Sequence, residues 1–132
     1  MTGTTEGNER RVLIVDDDKL NMDLLGSIMN FKEVAFDVAE DGKRAVEKWQ
    51  NGHYDLIFMD INMPVMNGYE AAKLIRSKEE EMAAQPVPIV AVTSVQAPLE
   101  AKKFGLDGFD HYIEKPFRVS QIVDIMTYFF NR

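Results

Sequence analysis

A set of polar side chains stands where apolar runs stop, and their types suggest one kind of chemistry. "VLIV" (12–15) gives way to Asp16, Asp17 and Asp18; "DLIFM" (55–59) to Asp60; "VAVTS" ends on Thr93 and Ser94; "YIEKPF" carries Lys115. Clustered carboxylates repel one another unless a cation sits among them. No His or Cys stands beside these acids in sequence, so an all-oxygen donor set favours a hard divalent ion, Mg²⁺ above all. Once a metal neutralises the acids, one carboxylate oxygen can act as a nucleophile. A lysine and a hydroxyl on the same rim would then meet the charge of a transferred phosphoryl group.

The elements that must position these groups alternate along the chain. Strand runs are expected at 12–15, 34–39, 54–59, 88–94 and 111–113. Between and after them lie helical spacings. Leu20, Leu24, Leu25 and Ile28 share a face in 20–31, and Ala45, Val46 and Trp49 in 42–50. Ala71, Ala72, Leu74 and Ile75 point inward from 69–84, a short helix covers 98–106, and Val119, Ile122, Val123 and Met126 face the core from 119–130. Short apolar strands alternating with amphipathic helices indicate an α/β fold with a parallel sheet covered on both faces. The expectation is a flavodoxin-like, doubly wound sandwich of five strands in the order 2-1-3-4-5 with five helices. In such sheets the functional crevice lies beyond the carboxyl ends of the strands. That is where the acids, the hydroxyl and the lysine fall.

Composition narrows the function classes. The chain has 132 residues, enough for one domain with a proper core, and its 45% hydrophobic and 28% charged residues are ordinary for a soluble globular protein. Residues 1–11 read as a flexible N-terminal tail and 12–132 as the folded domain. There is no cysteine, which excludes disulfides and thiolate metal sites and suits a reducing, cytoplasmic setting. The first residues lack the apolar stretch of a signal peptide, and no run is long enough to span a bilayer. A net charge of −7 with scattered basic residues argues against direct contact with nucleic acid or an anionic membrane.

The four stretches "VLIVDDD", "DLIFMDINMPVMNGYEA", "VAVTS" and "YIEKPF" closely resemble, in order and spacing, the receiver domain of two-component response regulators. The likeness runs from about Val12 to Phe130 and looks most like receivers of hybrid histidine kinases and single-domain phosphorelay regulators. It implies a phosphoacceptor signalling domain in which Asp60 accepts a phosphoryl group from a histidine kinase or histidine phosphotransfer protein. It further implies that Asp17 binds Mg²⁺ directly (Mn²⁺ serving in vitro), Asp16 chiefly through water, and Asn62 through its backbone carbonyl. Thr93 and Lys115 would hold phosphoryl oxygens, Thr93 and Tyr112 would move inward on phosphorylation, and Lys115-Pro116 would be a cis peptide. The output face would comprise the fourth helix, the fifth strand and the last helix. Such a chain is no turnover enzyme: it catalyses its own phosphotransfer and its own slow dephosphorylation. Val95, two residues past Thr93, cannot position hydrolytic water, so a long-lived acyl phosphate is expected. The chain would be a stand-alone regulator or a receiver excised from a hybrid kinase.

Departures from the family pattern are few. Asp18 adds a third acid and reads as a helix N-cap, and Pro98 implies a short or late fourth helix. Two other readings compete. Metal-dependent phosphohydrolases resembling a DxDxT pattern need a second acid where this chain has Asn62. A flavin or nucleotide binder needs a phosphate-cradling loop after the first strand, where "DDDKLN" offers acids.

Overall fold

In a computed structural model, residues 9–94 and 108–131 are described. Five strands, β1 (Arg11–Val15), β2 (Ala35–Ala39), β3 (Leu56–Asp60), β4 (Ile89–Thr93) and β5 (His111–Glu114), form one sheet in the order β2-β1-β3-β4-β5. Every pairing is parallel. Among the described residues there are four helices: α1 (Lys19–Phe31), α2 (Gly42–Asn51), α3 (Gly68–Met82) and α4 (Val119–Phe130). The helix expected at 98–106, with Pro98 and Val95, lies outside the described residues.

The period-2 alternation of the strands divides the core into two layers. Val12, Ile14, Leu56, Phe58, Val90 and Val92 face Leu25, Ile28 and Met29 of α1 and Ile122, Ile125 and Met126 of α4. Leu13, Val15, Ile57, Met59 and Ile89 face Ala45 and Val46 of α2 and Ala71, Ala72 and Ile75 of α3. All five residues of β3 are buried, which is why "LIFM" shows no alternation. β2 lies at the edge, and its buried–exposed mixture matches its position.

Local chemistry starts the helices. Asp18 is the N-cap of α1, its carboxylate accepting from the Leu20 N–H, and Asp41 caps α2 through the Arg44 N–H. Asn67 and Glu70 form a reciprocal capping box at the start of α3, each side chain accepting from the other's backbone N–H at 2.9 Å.

Three residues assigned to the apolar stripes do not reach the core. Leu20 and Leu24 of α1 and Val119 of α4 are 79%, 45% and 53% exposed. Leu20 and Leu24 stand one turn apart on the same side of α1, and the helix instead buries the side that carries Leu25, Ile28 and Met29, while Val119 is the first residue of α4. Leu74 is half-buried beside the α2–α3 core layer. At the other boundary, β1 begins at Arg11, and Arg10 donates to the Phe130 carbonyl at 2.8 Å with its guanidinium 5.5 Å from the Phe130 ring centre. Arg10 and Arg11 are therefore held against the domain.

Candidate functional site

The carboxyl ends of β1, β3, β4 and β5 bring the acids, the hydroxyl and the lysine together. Asp16 and Asp60 are buried and Asp17 is exposed, yet one carboxylate oxygen from each lies within 4.8 Å of the others. Lys115 places its ammonium between two of them, with Nζ 3.2 Å from Asp16 Oδ2 and 3.4 Å from Asp60 Oδ1. Thr93 is buried one residue past Val92, the partner of Asp60 across the β3–β4 pair. Its carbonyl accepts from the Lys115 N–H at 2.6 Å, so the hydroxyl-bearing and lysine-bearing strand ends are joined directly.

The side chains are held from below. Asp16 Oδ1 accepts from the Asp18 N–H at 2.8 Å, and Asp60 Oδ1 from the Ile61 N–H at 2.9 Å. The Lys115–Pro116 bond is cis. The loop from β3 to α3 is tied at three points: Met66 N–H to Pro64 O at 2.7 Å, Gly42 N–H to Met66 O at 3.0 Å, and Gly68 N–H to Ile61 O at 2.8 Å. Its tight turn holds exposed Val65 at φ 70°, a costly backbone region for a β-branched residue. Two glycines permit this packing: a Cβ on Gly68 would fall 2.3 Å from Asp60 O, and one on Gly42 2.4 Å from Met66 O.

Charge and burial oppose each other at Asp60. Burial pushes its carboxyl up, the Asp16 charge adds to this, and Lys115 only partly offsets both, leaving it at about 6. For Lys115, burial works against the ammonium, but the Asp60 and Asp16 carboxylates outweigh it and the pKa rises. The rim thus has more negative charge than one lysine neutralises. With only oxygen donors from three acids, it suits a hard divalent cation.

The remaining two expected residues both face solvent. Asn62 is exposed on the loop after β3, and Tyr112 is 42% exposed on β5, its ring 6.5 Å from that of His111. A groove of about 710 Å³ lined by Arg10, Trp49, Tyr54, Pro86 and Phe130 lies at the other end of the sheet, before the strands begin. It touches none of Asp16, Asp17 and Asp60. Sequence reasoning missed Gly42 and a network of Arg76, Glu79 and Asp110 beneath β4 and β5. No local pattern pointed to the latter.

The family description of the response regulator receiver domain matches residues 12–127. The chain belongs to the response regulator receiver family. The osmolarity two-component system protein SSK1 of Saccharomyces cerevisiae is 33% identical over 128 residues, covering 80% of this chain and 18% of that protein. The receiver chain therefore spans less than a fifth of that curated relative. A co-crystal structure of the S. cerevisiae histidine phosphotransfer signalling protein Ypd1 with the receiver domain of Ssk1 matches with a TM-score of 0.86 and 34% identity, covering 94% of this chain and 90% of that one. A receiver domain of a Pseudomonas aeruginosa sensor histidine kinase, with a magnesium ion coordinated in its active-site cleft, matches with a TM-score of 0.83 and 26% identity over 94% of this chain and 99% of that one. The chain is thus a receiver of two-component phosphorelay signalling with the doubly wound fold expected. No described helix is long and apolar enough to cross a membrane.

Proposed function

We propose that this receiver accepts a phosphoryl group on Asp60 from a phosphohistidine donor, a histidine kinase or histidine phosphotransfer protein. The observation that carries the proposal is the Lys115 ammonium lying within 3.4 Å of both Asp16 and Asp60 at the rim. A carboxylate oxygen of Asp60 attacks phosphorus, the new O–P bond forms as the donor's N–P bond breaks, and the departing imidazole nitrogen regains a proton from solvent. Strand β3, buried along its whole length, is the rigid mount that keeps the attacking oxygen in line. Lys115 and Thr93 would take the phosphoryl oxygens.

Asp16, Asp17 and Asp60, with the Asn62 carbonyl, would hold Mg²⁺. When bound, that ion would neutralise the acids and the charge on the phosphoryl group. Occupation of the site would draw Thr93 and Tyr112 inward and alter the surface of β5 and α4, where a downstream protein would dock. Tyr112 starts from a half-exposed position on β5. The chain would carry one phosphoryl group per cycle and lose it slowly, acting in the cytoplasm as a signalling domain and not as a turnover enzyme.

The test is incubation with acetyl phosphate and Mg²⁺, followed by intact mass measurement. One added phosphoryl group is expected, lost in Asp60→Asn and in EDTA. Absence of modification in the wild type, or turnover of varied phosphomonoesters, would refute the reading.

A further inference from the structure

Lys115 follows a strand with little to specify its register. β5 has four residues, lies at the sheet edge, and buries only Ile113. Register is strongly set only where a strand buries one face. Yet a slip of one residue would move Lys115 by about 3.3 Å and turn its side chain to the other face. The ammonium contacts of 3.2 and 3.4 Å with Asp16 and Asp60 would then be lost. Something other than apolar patterning must hold β5 in place.

The residue just before β5 supplies one anchor. Asp110 donates its N–H to Ile89 O at 2.8 Å, and its Oδ2 accepts from the Ile89 N–H at 2.8 Å, so it grips the first residue of β4 from both sides. Arg76 of α3 supplies the other. Its Nη2 donates to the same Asp110 oxygen at 3.0 Å and its Nε to Gly108 O at 2.9 Å. Its Nη1 donates to Glu79 Oε1 at 2.9 Å and Val87 O at 2.8 Å. Glu79 is buried, and its second oxygen takes the Val87 N–H at 2.7 Å. One planar guanidinium therefore binds the approach to β4, the approach to β5 and the helix between β3 and β4. Lysine, a single point donor, cannot span these acceptors.

We propose that Arg76, Glu79 and Asp110 form a bracket that sets the β4–β5 register and thereby positions Lys115 for phosphoryl transfer to Asp60. They are positioning residues, acting through Lys115 from the opposite end of the strand pair. This rests on the acceptor reading of Asp60 given above.

A double-mutant cycle with acetyl phosphate as donor tests it, at saturating Mg²⁺. Asp110→Ala should slow phosphorylation by about tenfold or more, because an ångström of misplacement is costly in such transfers. In a Lys115→Ala background the same change should matter by less than about twofold, since the route it acts through is already gone. Asp110→Asn, which keeps an oxygen for the Ile89 N–H, should recover most of the rate. Mg²⁺ affinity should stay within about twofold of wild type, because the acids hang from β1 and β3. Hydrogen exchange provides a readout that needs no phosphorylation: amides of β5 and Lys115 should lose protection while those of β1 and β3 keep it. Equal rate losses in both backgrounds, an unaffected Asp110→Ala, or uniform loss of protection would overturn the proposal. If Asp110→Ala does not fold, Arg76→Lys runs through the same cycle, and the same outcomes support or overturn the bracket. Should the wild type itself accept no phosphoryl group, the Asp60 reading fails, and the exchange pattern still decides the register bracket.

Discussion

Lys115 Nζ lies 3.4 Å from Asp60 Oδ1, and the same nitrogen is 3.2 Å from Asp16 Oδ2. One ammonium is shared by two buried carboxylates carried on two different strands. Lys115→Ala should slow phosphorylation by acetyl phosphate roughly 10²-fold, the usual cost of removing one donor to developing charge. Mg²⁺ should bind at least as tightly, since a positive charge has left the cluster. Single-turnover mass measurements and a Mg²⁺ titration separate the two effects. A variant that lost both in parallel would show that Lys115 maintains the site and does not act on the phosphoryl group.

The raised Asp60 pKa, about 6 against an ordinary 3.8, has a consequence for stability in EDTA. The folded state holds this proton to higher pH than the unfolded chain does. Its contribution is therefore fully present below the unfolded pKa and lost as pH rises through about 6. Asp60→Asn should thus stabilise the metal-free protein by about 1–2 kcal/mol at neutral pH, allowing for screening at the open rim, and by almost nothing near pH 4. Urea denaturation at the two pH values is the measurement. A gain that persisted undiminished in acid would point to a packing effect instead.

Metal binding should run in the opposite sense. Mg²⁺ must displace the Asp60 proton, so its affinity should fall as pH drops through about 6. Added Mg²⁺ should raise the unfolding free energy by about 2.7 kcal/mol at a hundredfold excess over its dissociation constant. Asp17→Ala removes an exposed acid from the three-carboxylate group, and should weaken Mg²⁺ binding by about tenfold or more while sparing the fold. Calorimetric titration and thermal melts with and without Mg²⁺ check both statements. Unchanged affinity in Asp17→Ala would remove Asp17 from the site.

Gly68 is the close approach that allows α3 to start under the end of β3. An added Cβ would stand 2.3 Å from the Asp60 carbonyl and 3.0 Å from Ile61 Cα, both backbone atoms that cannot swing away. Gly68→Ala should destabilise the fold by about 2–3 kcal/mol and slow phosphorylation, because relief requires moving the peptide that carries Asp60. Denaturant midpoints beside acetyl phosphate rates test this. A stable, fully active variant would mean the loop shifts without disturbing the acid.

Much of the fold is legible in the chain alone. The apolar runs ending in acids, the N-cap at Asp18 and the alternation of strand and helix are local properties, written in neighbouring residues. β3 announces itself because a strand buried on both faces has no polar alternation to hide it. Leu20, Leu24 and Val119 mislead because an apolar stripe can be wider than the face a helix buries: α1 turns Leu25, Ile28 and Met29 to the sheet and leaves Leu20 and Leu24 outside it. The Arg76 fork is invisible in sequence for another reason. Its acceptors on Gly108, Val87 and Asp110 come from separate segments, and only folding brings them to one guanidinium.

The sequence by itself determined which chemistry is possible: oxygen donors, a nucleophilic carboxylate, a lysine and a hydroxyl at strand ends, in the order of a receiver. Residue type and spacing decide these, because they depend on what each side chain is and which strand it follows. Tertiary structure alone decided how they meet. The Lys115 contact with Asp16 joins residues 99 apart in sequence, and the clearance at Gly68 exists only where a helix end passes beneath a strand end. Distances of this kind are set by packing across the sheet, and no local pattern encodes them.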